Sequence, residues 1–146
     1  MPIQRLAALL TYAGALPFIL AALAIAFGPR ESHIPAITAL ITYAAVILSF
    51  LGGVEWGLAL QGQAGSEPAR KRMLAWSVLP SLAAWGVLWL PSPGLQMVAS
   101  VMAFAAAAIA DVLFERRGLL PGWFMAIRIR ITVLVCLTLL LARLFY

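Results

Sequence analysis

Three residues of this 146-residue chain, Glu55, Asp111 and Arg128, combine a reactive type with a position where a charge is unexpected. Glu55 lies within SFLGGVEWGLAL, residues 49–60; Asp111 follows the uncharged run Leu95 to Ala110; Arg128 comes six residues after Gly122. Carboxyls in apolar surroundings can exchange a proton, hold a cation together, or pair with a guanidinium. A charge left facing lipid costs several kcal/mol, so such groups turn inward and pair. An arginine at the level of two carboxylates offsets their pull on a cation. The expected arrangement is therefore a buried polar cluster, with Glu55 paired to Arg128 and Asp111 in the same layer, and no metal.

Other chemistry is sparse. Cys136 is the single cysteine, which excludes an internal disulfide, and its apolar run marks it as a small core residue. His33 has no second histidine for a metal or a haem. Gly52 and Gly53 fall inside a long apolar run, where glycine serves helix packing and not a phosphate loop. No catalytic residue and no cofactor is expected. Trp76, Trp89 and Trp123 sit near run ends, as an interfacial belt requires. Trp56 and Trp85 fall deeper and either pack in the core or, with Thr132, line a ligand pocket.

The elements that must position these residues follow from composition. Hydrophobic residues make up 64% of the chain and charged residues 10%. A soluble domain of this length could not hide so much apolar surface. Spans near residues 6–27, 34–60, 73–90, 95–114 and 122–145 each approach the roughly 20 residues needed to cross about 30 Å of hydrocarbon. This predicts an all-α integral membrane protein, a bundle of five transmembrane helices in one domain over residues 1–146. The first run, at 22 residues, is longer than the apolar part of a signal peptide and is read as a retained span. Pro17, with Gly14 before it, should kink that helix or free a carbonyl for a neighbour. Connections are expected at residues 28–35, 61–72, 91–94 and 115–121.

Basic residues set the expected orientation. With the N-terminus inside, the inner segments hold Arg5, Arg70, Lys71, Arg72, Arg116 and Arg117, against Arg30 and Arg143 outside. The prediction is N-in, C-out. The net charge of +5 then meets anionic lipid headgroups and calls for no nucleic acid. At about 1.5 Å per residue, Glu55, Asp111 and Arg128 fall roughly 6–9 Å from the same boundary. Ser100, Ala103, Ala107 and Asp111 recur on one face of the fourth span, and Ser49, Gly53 and Gly57 form a small-residue ridge on the second, with Gly52 one turn from Glu55 on the glutamate's own face. Arg128 and Thr132 share a face of the fifth span; Arg130 lies about 200° away and should reach to the headgroups.

Two stretches carry a family resemblance: Ser49-Phe50-Leu51-Gly52-Gly53-Val54-x-Trp56-Gly57, and Pro121-x-Trp123-Phe124-x-x-Ile127-Arg128-x-x-x-Thr132. They resemble a family of short bacterial and mitochondrial polytopic membrane proteins classed as a domain of unknown function, which includes an animal mitochondrial transmembrane protein. The resemblance implies a topology and no activity. The porphyrin-binding tryptophan-rich sensory proteins are similar in length and span number, but their Trp-Tyr and Trp-x-Pro-Pro signatures are absent.

Two functional readings remain. The first is a non-enzymatic interaction, assembly or accessory-subunit protein of a bacterial inner membrane, whose partners are the bilayer and other membrane helices or a second copy. The alternative is a small-molecule-binding or proton-coupled transport protein in which Glu55 titrates. One lysine against nine arginines, with abundant alanine, suits a GC-rich bacterial genome.

Overall fold

The computed structural model describes residues 1–146 and is helical apart from short connections. Seven helices follow in order: α1 (Ile3–Ala13), α2 (Leu16–Phe27), α3 (Arg30–Gln61), α4 (Glu67–Trp76), α5 (Leu79–Leu88), α6 (Pro93–Glu115) and α7 (Gly122–Phe145). Four stretches are long and apolar enough to cross a membrane: Ile3–Phe27, Arg30–Gln61, Pro93–Glu115 and Gly122–Phe145. The protein is an all-helical membrane protein.

Two prolines account for the extra helix count. Pro17 and Pro80 each occupy the second position of a helix, and the preceding helix ends four residues earlier, at Ala13 and at Trp76. A proline has no N–H to give the carbonyl four residues back, and its ring collides with that carbonyl. The residues between, Gly14 and Ala15 or Ser77 and Val78, keep right-handed helical dihedrals. The chain bends at both places without reversing. The stretch expected as a third span, 73–90, is thus α5 with only the last turn of α4, whose earlier residues include Glu67, Arg70, Lys71 and Arg72.

Pro35 behaves differently and moves an expected boundary. It lies inside α3, which begins at Arg30 with Pro29 as its N-cap, so only Gly28 and Pro29 connect α2 to α3. Pro35 sits in the second turn, where the chain loses one backbone bond close to an already frayed end. α4 likewise starts earlier than the expected connection allows, because the Ser66 hydroxyl accepts from the Ala69 N–H and caps it.

Packing closes the helices into a ring. α2 packs on α3, α3 on α5, α5 on α6, α6 on α7 and α7 back on α2; α3 and α6 also meet across the middle. Phe18, Leu40, Leu48, Met97, Phe104 and Leu139 fill one end of the interior. A second apolar cluster around Met73, Phe114, Leu119 and Met125 closes the other, where the 62–66 and 116–121 connections lie. The charged residues of interest sit between these two clusters.

Candidate functional site

α6 and α7 are antiparallel neighbours joined by a short connection, so residues a similar distance from that turn face one another. Asp111 and Arg128 do. Arg128 Nε donates to Asp111 Oδ2 at 2.7 Å, and both side chains are only 5% exposed. One turn further along α7, the Thr132 hydroxyl accepts from Arg128 Nη1 at 2.8 Å. The four-residue spacing that put Arg128 and Thr132 on one face produces this bond.

Glu55 reaches the same layer from α3 and is 4% exposed. Its expected pairing with Arg128 is corrected: the arginine's ion pair is with Asp111. Glu55 instead lies against Asp111 and the Trp76 indole at the end of α4. Glu55 Oε2 and Trp76 Nε1 are both sealed from solvent, and the indole N–H lies beside the carboxyl, a donor next to an acceptor. The reason for the correction is proximity in topology. A six-residue connection holds Asp111 opposite Arg128, whereas Glu55 comes from the far side of the α3–α6 crossing.

A polar line therefore runs across the bundle, from Trp76 through Glu55, Asp111 and Arg128 to Thr132. It begins at one proline break and ends near the other. At the Pro80 break the bundle is tight: the Ser77 carbonyl lies against Gly52, where any side chain would collide with it, and the Ser49 and Ser81 hydroxyls bond at 2.9 Å. At the Pro17 break the Tyr43 hydroxyl donates to the Gly14 carbonyl at 2.9 Å, supplying the neighbour that a freed carbonyl requires. Beside that break lies a cavity of about 240 Å3 whose walls include Gly14, Phe50, Val54, Arg128 and Thr132.

The small residues divide between two faces. Ser100, Ala107 and Asp111 of α6 point inward, as their spacing suggested, with Ala103 half-buried. On α3 the inward glycine is Gly52. Gly53 and Gly57, expected to bring the spans together, are exposed and have nothing within 4 Å of where a Cβ would stand. Trp56 and Trp85, considered as pocket-lining residues, are 46% and 63% exposed and lie on the outside. Thr132 does line the cavity. Trp76, placed by its sequence position in an interfacial belt, turns its ring nitrogen inward instead. Tyr43, Gly14 and Trp76 are contributors that periodicity did not reveal; the only signal in the chain was Pro17 and Pro80, whose bends bring them into play. Arg130 is exposed, on the far side of α7 from Arg128.

These features define a polytopic helical membrane protein with a buried ion pair. The chain belongs to the family described as "Protein of unknown function (DUF3429)", whose model matches residues 3–144. It is similar to Transmembrane protein 69 of Xenopus tropicalis, at 32% identity over 129 residues covering 87% of this chain and 49% of the relative. Transmembrane protein 69 of Mus musculus is 29% identical over 121 residues, covering 82% of this chain and 48% of the relative. The chain thus spans about half the length of the curated relatives it matches. No solved structure matches it.

Proposed function

We propose that this protein is a non-enzymatic accessory protein of a bacterial inner membrane, which associates through α3 with a transmembrane helix of another protein. One observation carries this reading: Gly53 and Gly57 form a small-residue ridge that is turned away from the bundle and open. Ridges of small residues four apart let a second helix approach closely, and in lipid such packing is a main source of association. Inside the bundle Gly52 already serves that purpose against Ser77, so the outer pair is free for a partner. The Asp111–Arg128 pair behind it holds α6 and α7 in register, which needs no turnover to explain it.

The accompanying topology has five crossings, N-in and C-out, with α4 and α5 together forming the third. Arg70, Lys71, Arg72, Arg116 and Arg117 then meet the cytoplasmic leaflet. Single cysteines in place of Ser66 and Ser92, in a Cys136→Ala background, test it. An impermeant thiol reagent applied to intact cells should label position 92 and spare 66; the reverse pattern overturns the orientation.

Association is tested by in-membrane crosslinking from a cysteine replacing Leu60, two turns along the exposed face from Gly53. The Gly53→Leu, Gly57→Leu double variant should lose the crosslinked species at unchanged melting temperature. A product of a mass other than twice the 15.7 kDa chain supports a different protein as the partner, whereas a product of twice that mass shows self-association and overturns that part of the reading. Equal crosslinking in the filled variant sinks the proposal.

A further inference from the structure

The cavity beside the Pro17 break combines features that a packing defect would lack. Its walls are mostly apolar, yet Arg128, 95% buried by its 5% exposure, and Thr132 form part of them. A guanidinium carries five N–H donors in a fixed plane. Arg128 uses one, from Nε, on Asp111 and one, from Nη1, on Thr132. Three N–H groups remain without a protein acceptor, on a residue that forms the cavity wall. A donor left over in an apolar lining gives a ligand that carries an acceptor a hydrogen bond to make there.

The access route is lateral. α1 packs on α7 while α2 packs on α3, so the bend at Gly14 and Ala15 parts the first helix from the third. Leu10 of α1 and Phe50 of α3 line the opening and are 60% and 64% exposed on the apolar surface of the bundle. A ligand would enter from the bilayer. The volume falls below the roughly 300–1,000 Å3 typical of pockets enclosing a drug-sized molecule. It accepts the polar end of a lipophile while the tail stays among lipid chains.

Charge selects the chemistry of that end. Arg128 is already neutralised by Asp111, and Glu55 adds a second carboxyl behind it. An anionic headgroup would meet a site with no cation to spare. We propose that the cavity binds the carbonyl oxygen of a neutral membrane lipophile, a ketone or an ester, which accepts hydrogen bonds from the free N–H groups of Arg128. This goes beyond the association role above and does not rest on it.

The test measures melting temperature of the intact, detergent-purified protein against three probes of similar chain length: decylubiquinone as a ring ketone, monodecanoylglycerol as an acyl ester, and n-decane with no acceptor. At saturation a carbonyl probe should raise Tm by about 3 °C, and n-decane should not. A response to the quinone alone assigns a ring ketone; a response to the ester alone assigns a lipid ester. Val54→Phe and Ile47→Phe, each filling the cavity from α3, should abolish the shift, while Val46→Phe on the outer face of the same helix should keep it. If Val54→Phe does not fold, Ile47→Phe and the comparison with n-decane still decide. Equal shifts from all three probes, no shift from either carbonyl probe, or shifts that survive both filled variants overturn the proposal.

Discussion

The two proline breaks start from the same local event and end in opposite structures. Pro17 and Pro80 each stop the preceding helix four residues earlier and restart the next one. At Pro80 the displaced backbone is absorbed: Gly52 has no side chain, so the Ser77 carbonyl settles against it, and Ser49 bonds to Ser81. At Pro17 no such close approach forms: Ile47, Phe50 and Val54 of α3 line a cavity beside the break. Tyr43 spans part of the gap with one hydrogen bond. A break in a membrane helix is therefore neither a defect nor a site in itself. What packs opposite the freed backbone decides which it becomes.

The polar line that joins the breaks gives the largest expected effect. Arg128→Gln leaves Asp111 buried without its cation and should destabilise the protein by about 4 kcal/mol in reversible detergent unfolding. Pairing it with Asp111→Leu should recover part of that loss, because no lone charge remains. Glu55→Gln should cost much less than Arg128→Gln, since Arg128 keeps Asp111. Equal losses would show that Glu55 is the true partner after all.

At the closed break, Gly52→Ala drives a methyl group into backbone that cannot rotate away. A loss of about 2 kcal/mol is expected in the same assay. A neutral result would mean that the closed break is as loose as the open one, and the contrast would dissolve. At the open break, Tyr43→Phe removes the one bond across the gap and should cost about 1 kcal/mol. The smallest effect belongs to Gly57→Ala, on the same helix but facing outward, which should stay within about 0.5 kcal/mol. Melting curves of Gly52→Ala and Gly57→Ala side by side compare a glycine required by packing with one that is not.

Much of this molecule was legible in its residues before any contact was known. Composition alone placed it in a membrane, since apolar runs of about 20 residues with so few charges have no soluble alternative. The shared level of Glu55, Asp111 and Arg128 followed from a rise of about 1.5 Å per residue, and the Arg128–Thr132 bond from a four-residue spacing. Pro17 announced its own break. These are local quantities, fixed by the chain's covalent geometry and the helix period.

What periodicity could not decide was azimuth. Gly52 and Gly53 are adjacent, and about 100° of rotation turns one into the bundle and the other toward lipid. Sequence offered both, Gly52 on the face of Glu55 and Gly53 with Gly57 as a ridge, and packing turned only Gly52 inward. The same rotation put Trp56 and Trp85 on the outside. Partner choice was equally out of reach: two carboxyls and one arginine at one depth allow two pairings, and only the short connection between α6 and α7 sets Asp111 against Arg128. Depth is a property of one helix, whereas facing and pairing belong to the way several helices share a small volume. That is why the sequence determined the membrane class and the polar level, while tertiary structure alone decided the ion pair, the outward ridge and the cavity.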